Sequence, residues 1–217
     1  LSQTPAGRRV ALFSATMPPR IRDIASKHLV DPVEVAIASS ATTNANIEQC
    51  YWLVKGTSKL DALTRFLGAE DTEGVIVFVR TRESTAAIAE QLRQRGFNAS
   101  PLNGDIDQKT RFITVEQLKD GRIDIVVATD VAARGLDVER ITHVINYDIP
   151  FDRESYVHRI GRTGRAGRQG KAILFVAPRE KRMLSNIERV TKQTVRQIQL
   201  PSFDDIDKKA RARLVMQ

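Results

Sequence analysis

The chain has 217 residues, 41% hydrophobic and 28% charged, enough to bury a core of ordinary globular size and without the one-sign charge bias of a disordered tail. Its 34 Lys and Arg against 26 Asp and Glu give a net charge of +8, which favours an anionic partner, nucleic acid first. A single cysteine, Cys50, excludes an internal disulfide, the scattered His28, His143 and His158 make no zinc-like cluster, and no apolar run approaches the roughly 20 residues of a membrane span.

A reducing, cytoplasmic setting is expected, and the first residue, Leu1 rather than Met, suggests a piece of a longer protein. Arg9 to Ala15 is a short apolar run that reads as a strand. Pro18-Pro19 blocks further strand but suits the first turn of a helix, with Ile21, Ile24, Ala25 and Leu29 on one face. Asp31-Pro32 stops that helix before a second apolar run, Val33 to Ile37. Ala38 to Asn46 is small, polar and aperiodic, the texture of a linker. The expected organisation is therefore residues 1–38, a linker at 39–46, a second domain over 47–200, and the start of an extension over 201–217.

After the linker, strand and helix alternate. Strands are predicted at Ile47 to Val54, Val75 to Val79, Ala99 to Leu102, Ile123 to Ala128, His143 to Tyr147 and Ala172 to Val176. Helices are predicted at Lys59 to Leu67, Thr85 to Arg95 and Gln108 to Lys119, the last two ended by Gly96 and Gly121. A late helix is marked by Met183, Leu184, Ile187 and Val190, and another begins near Asp204. The expected fold class is α/β: a mostly parallel sheet covered by helices on both faces, in three layers. Ligands in such sheets sit beyond the carboxyl ends of the strands. That rule gives Arg80-Thr81, Asn103-Gly104-Asp105, Thr129-Asp130 and the Arg/Gly stretch of Tyr156 to Arg168 related edges of one sheet. Trp52, Tyr147 and Tyr156 lie in or beside apolar runs and read as core rather than as stacking residues.

Tyr156 to Arg168 is the densest polar feature, with Arg159, Arg162, Arg165 and Arg168 every third residue and Gly161, Gly164 and Gly167 among them. Guanidinium forks match phosphate oxygens, and glycine lets main-chain N–H groups approach the same anion. Spacing alone leaves two readings open, a built phosphate grip and a flexible basic loop.

Four segments together, SAT at Ser14 to Thr16, IVFVRT at Ile76 to Thr81, ATDVAARGLD at Ala128 to Asp137 and HRIGRTGRAGR at His158 to Arg168, resemble the successive motifs of DEAD-box RNA helicases. The similarity is closest to the bacterial cold-shock group, through ATDVAARGLDVERI and VINYDIP, and it covers roughly Leu12 to Leu200. That family has two RecA-like domains with ATP and RNA bound across the cleft between them. The chain resembles the second domain, preceded by the last strand and helix of the first. It departs from the complete pattern: no G-x-x-x-x-G-K-[ST] loop is present, since Arg165 takes the place of the first glycine and Ala172 follows Gly170-Lys171, and there is no DEAD tetrapeptide.

The resemblance implies a role for each motif residue. Arg162 and Arg165 match the arginine fingers that reach the γ-phosphate, and His158 matches the histidine that communicates with the SAT segment and the attacking water. Asp137, with Gly135 in the same motif, matches the nucleotide-binding positions, the carboxylate meeting the ribose. Thr81, Gly104, Gln108, Arg111 and Thr129 match contacts to the RNA backbone, and Ser14 and Thr16 match the motif that couples hydrolysis to strand separation. ATP with Mg2+ is the implied cofactor, the metal ligands falling on the absent first domain. The partners implied are RNA held without sequence preference, ATP and that first domain.

Plainer readings stand beside these. Arg165 could bind a phosphate backbone, His158 serve as a structural donor, Asp137 pair with Arg134, and Gln108 with Arg111 open an exposed helix. A stand-alone RNA-binding or annealing module, or a DNA translocase, would share much of the pattern. Without the first domain's sheet, Leu12, Phe13, Ile21 and Ile24 should dock on the second domain, pair with another copy of the chain or stay unordered; concentration-dependent association, a homodimer, is the expectation.

Overall fold

The computed structural model describes residues 4–5, 7–14, 17, 19–35 and 46–215. The chain divides into two compact units, Leu1–Ser40 and Ala41–Gln217. In the first unit α1 spans Pro19–His28, with Lys27 and His28 in the last turn where cations meet the carbonyl end of the helix dipole. Asp31 then takes a left-handed φ of 44° and ends the helix path. The strand expected over Arg9 to Ala15 is not formed over residues 8–14, which carry no regular secondary structure. A lone extended segment gains its ladder only from a neighbouring strand. Residues 33–35 are likewise irregular, while Ala15, Thr16, residues 36–38 and the linker expected at 39–46, apart from Asn46, lie outside the described residues.

The second unit holds β1 (Ile47–Leu53), α2 (Lys59–Ala69), β2 (Gly74–Phe78), α3 (Arg82–Gln94), β3 (Ala99–Leu102), α4 (Gln108–Asp120) and β4 (Ile125–Ala128). It continues with α5 (Asp130–Ala133), β5 (Ile141–Asn146), α6 (Arg153–Ile160), β6 (Gly170–Val176), α7 (Lys181–Thr191), β7 (Arg196–Gln197) and α8 (Phe203–Val215). The strands form one sheet in the order β3-β4-β2-β5-β6-β1-β7, with every pair parallel. This is the three-layer arrangement that the alternation of elements anticipated, and the RecA-like domain that the family resemblance implied.

Local chemistry sets the element ends. Ser58, Thr81, Asp107 and Asp152 cap α2, α3, α4 and α6, each accepting from a backbone N–H of the first turn. Because Thr81 is a cap, α3 begins three residues before the predicted Thr85. Gly121 closes α4 in a left-handed turn at φ 80°. β2 is buried throughout, as its unbroken apolar run requires: Val75, Val77 and Val79 meet α2 and α3 on one face, and Ile76 and Phe78 meet α4 and α5 on the other. On that second face α6 and α7 pack Tyr156, Ile160, Leu184 and Ile187 against Ile47, Ala172 and Leu174. Trp52, Phe66 and Phe175 stack edgewise or tilted in the first cluster, with Tyr147 beside Phe175, and Tyr156 is fully buried with its hydroxyl donating to Gln49 at 2.9 Å.

α8 lies on α2 rather than standing away from the domain. Arg65 donates to Pro201 O at 2.6 Å and stacks on Phe203, and Lys209 pairs with Asp71. A Cβ on Gly68 would stand 3.2 Å from Ile206, so glycine sets the closeness of this contact. Among the described residues no helix is long and apolar enough to cross a membrane.

Candidate functional site

The motif residues collect at two opposite edges of the sheet. In an all-parallel sheet every βα turn lies at the carboxyl edge, and there β3, β4 and β2 deliver Gly104, Thr129 and Thr81. Thr81 accepts from Ser84 N at 3.2 Å and shares a 2.9 Å hydrogen bond with the Ser84 hydroxyl. Asn103 braces the next turn, donating to Thr85 Oγ1 at 2.7 Å and accepting from Asp105 N at 2.9 Å, and Gly104 at its tip has open space around it. Gln108 is the exposed first residue of α4. Thr129 is 9% exposed and takes Leu102 O through its own N–H at 3.3 Å. The amino ends of α3 and α4 both point out of this edge, so the positive ends of their dipoles line it, a setting suited to a phosphodiester backbone.

Arg111 does something neither sequence reading anticipated. Its guanidinium clasps Ala132 O and, at 3.0 Å, Arg134 O, tying α4 to the turn after α5. It braces the loop that presents Gly135 and Asp137 rather than standing exposed at a helix start.

The second set sits at the amino edge, a departure from the shared carboxyl edge expected of the polar clusters. α6 leaves the carboxyl end of β5 and runs back along the sheet, so the loop after it must reach the start of β6. Thr163 anchors that loop by donating to Ile141 O, the first carbonyl of β5, at 2.6 Å. Gly164, Ala166 and Gly167 are all left-handed, with φ of 67°, 51° and 78°, which folds the loop tightly. A Cβ on Gly170 would lie 2.5 Å from Thr163 Oγ1 and 2.6 Å from Gly164 N, so the loop closes directly onto β6.

On this frame Arg162 donates to Leu136 O at 2.9 Å and to His158 O at 3.2 Å. Arg165 donates to Gly161 O at 3.0 Å and pairs with Asp137. Asp137 therefore meets Arg165, not the neighbouring Arg134. Burial, and then the charge of Arg165, pull Arg162 below its ordinary pKa, with Asp137 opposing. Two guanidinium groups lie near one carboxylate that only Arg165 contacts, and the surplus positive charge suits an anion. Gly135, at φ 75°, turns the chain two residues before Asp137 with open space beside it. His158 is exposed, and its carbonyl rather than its ring meets Arg162. Ser14 lies in the other unit, and Thr16 lies outside the described residues.

Sequence reasoning missed the buried arginine. Arg159, one of the four regularly spaced, is 2% exposed and donates to both Asp130 oxygens at 2.6 and 2.8 Å, to Asn146 at 3.2 Å and to Asp148 O at 2.7 Å. It ties the exits of β4 and β5 together and offers nothing to a ligand. Its partners are 11 to 29 residues away, beyond any local pattern.

Residues 58–167 match the helicase conserved C-terminal domain family. The chain is 56% identical over 209 residues to the ATP-dependent RNA helicase DeaD of Escherichia coli (strain K12), covering 96% of this chain and 33% of that protein. It is 55% identical over 207 residues to the ATP-dependent RNA helicase DeaD of Mycobacterium tuberculosis, covering 95% and 36%. It thus spans about a third of the length of these curated relatives. Among solved structures, S. cerevisiae Dbp5 bound to RNA and ADP BeF3 superposes with a TM-score of 0.80 at 29% identity, over 98% of this chain and 56% of that one. With the fold, both sheet edges and these likenesses in agreement, the chain belongs to the helicase conserved C-terminal domain family, within the DEAD-box RNA helicases.

Proposed function

We propose that this chain is the carboxyl-terminal motor half of an RNA-stimulated ATPase that separates short RNA duplexes, working across a cleft with a first RecA-like domain. The observation that carries this reading is the Arg162, Arg165 and Asp137 group, raised on a braced loop at the amino edge. A clamp for RNA alone has no need of two guanidinium groups and a carboxylate at the edge opposite the helix amino ends.

ATP supplies the phosphoryl group. As the bond to its leaving group breaks, charge spreads over the phosphoryl oxygens, and Arg165 and Arg162 stabilise that charge from across the cleft; such fingers contribute about 10³ to 10⁵ in rate. Asp137 accepts from ribose hydroxyls, and the turn at Gly135 lets the sugar approach. His158 relays between this loop and Ser14 with Thr16. Mg2+ would be held by the phosphates and by residues of the first domain, as the family resemblance implies. Thr81, Gly104, Gln108 and Thr129 hold the RNA backbone at the carboxyl edge, with Arg111 keeping α4 in place, and base edges go unread. ATP and RNA each touch both halves, so each favours the closed form.

Residues 1–38 fit the end of that first domain, and the exposed Phe13, Val30, Val33 and Val35 support self-association through this segment when the rest is missing. The single, buried Cys50 accords with a cytoplasmic setting. The test is ATP hydrolysis by the chain joined to the first domain of a bacterial DEAD-box helicase. Activity should appear only on joining, require RNA, and collapse in Arg162→Ala and Arg165→Ala. Hydrolysis indifferent to both arginines, with RNA still bound, would establish the binding-module reading instead.

A further inference from the structure

The strands leave the carboxyl edge in the order β3, β4, β2, β5, so the residues proposed for RNA occupy three consecutive exits: Gly104 and Gln108, then Thr129, then Thr81. The fourth exit, after β5, carries Phe151. Its ring is 68% exposed, belongs to none of the three core clusters, and has the exposed Arg80 guanidinium 5.1 Å from its centroid.

The backbone beneath this pair is firmly held. Asp148 accepts from Arg80 N at 3.0 Å and from Lys59 at 2.9 Å, Arg159 grips Asp148 O, and Asp152 caps α6 through Ser155 N at 2.7 Å. Arg80, which meets the ring, immediately precedes Thr81 in the chain, so Phe151 stands beside the turn that carries Thr81.

We infer that Phe151 and Arg80 form a base-stacking platform that extends the RNA track by one nucleotide past Thr81. This rests on the RNA reading of the carboxyl edge. An aromatic face accepts any base, and an adjoining guanidinium adds stacking and a phosphate partner, so the platform strengthens binding without reading sequence. The Arg80 guanidinium beside the ring favours a nucleotide over an apolar peptide segment.

The test uses the whole chain with a single-stranded RNA carrying 4-thiouridine at successive positions, the cross-linked residues being mapped by mass spectrometry. Binding affinities are measured for the unmodified chain, Phe151→Ala and Phe151→Tyr. One position should cross-link at residue 151, next to positions that cross-link near Thr81. Phe151→Ala should weaken binding about 5- to 100-fold, while Phe151→Tyr restores it. An abasic nucleotide at the cross-linking position should weaken binding to the unmodified chain but not to Phe151→Ala.

Because the ring is exposed, thermal melting should show both variants folded. Cross-links near Thr81, Gly104 and Thr129 with none at 151 and a neutral Phe151→Ala would overturn the platform and leave the RNA track standing. Equal losses with intact and abasic RNA would also overturn it, since the ring would then touch the backbone and not a base. No cross-link anywhere on this edge would overturn the RNA reading and the platform together.

Discussion

Arg159 and Arg165 stand six residues apart in one regular Arg/Gly series, yet α6 buries the first while the loop after α6 displays the second. Arg159 gives its whole fork to Asp130, Asn146 and the Asp148 carbonyl. Arg165 meets one carboxylate, Asp137, whose side chain is 83% exposed. Residue type and spacing are the same in both halves of the series. The surroundings divide them into a strut that holds the exits of β4 and β5 and a group free to change partners.

The largest effect that separates these roles is kinetic. Arg165→Ala should lower ATP turnover in the joined protein by about 10³- to 10⁵-fold while leaving urea stability within about 1 kcal/mol, because an exposed ion pair contributes little to folding. Loss of folded protein in that variant would break the comparison.

Arg159→Leu should do the reverse, costing about 3 to 5 kcal/mol in urea unfolding, since it strands Asp130 beside a desolvated Asn146 and Asp148 carbonyl. A third measurement contrasts the exposed pair with a buried one near the same amino edge. The Glu70 carboxyl is held down to about 2, first by the His143 ring facing it and then by Lys171, against a burial that would raise it. The imidazole Nε2 is 3.8 Å from Glu70, too long for a hydrogen bond, so it acts through its charge and dipole while Lys171 makes the contact. A depressed folded pKa contributes stability above the unfolded value of 4.5 and loses it as pH falls toward about 2. Stability should therefore decline by roughly 2 kcal/mol between those values, and Glu70→Gln should flatten the slope in acid unfolding curves. The smallest effect is expected of Gly68→Ala on α2, away from both arginines. Alanine gains about 1 kcal/mol of helix propensity but crowds Ile206 of α8, so net stability should move little while α8 amides exchange faster.

Much of this was legible in the sequence for a local reason. Val75 to Val79 announces a buried strand because both its faces are apolar, and Gly121 announces a helix end because only a left-handed residue closes α4 there. Motif identity carried Arg162, Arg165 and Asp137 to one another. What stayed hidden depends on distance in space. Asp137 looked like a partner for Arg134 because they are neighbours in sequence, but the turn at Gly135 points it to Arg165 instead. α6 was hidden by the same glycines that mark the loop after it, although Asp152 caps it with an ordinary signal. The two edges were merged because the rule for ligands at carboxyl ends says nothing of a loop that returns along the sheet. β7 is two residues long, too short for any periodicity.

The place of β1 in the sheet has a consequence for how the chain is made. β1 is the first strand of its unit to be synthesised, yet its neighbours are β6, where Ile47 pairs with Gly170 and Leu53 with Val176, and β7, where Cys50 pairs with Arg196. More than a hundred residues must follow before either edge is satisfied. At about 5 to 20 residues per second, that leaves β1 unpaired on the ribosome for on the order of ten seconds. During that interval Ile47, Cys50 and Trp52, all buried in the finished domain, remain open to water and to other nascent chains. The hazard of misassembly in this domain is therefore concentrated at its first strand, and a holding chaperone that covered residues 47–53 would protect the step that the topology defers longest.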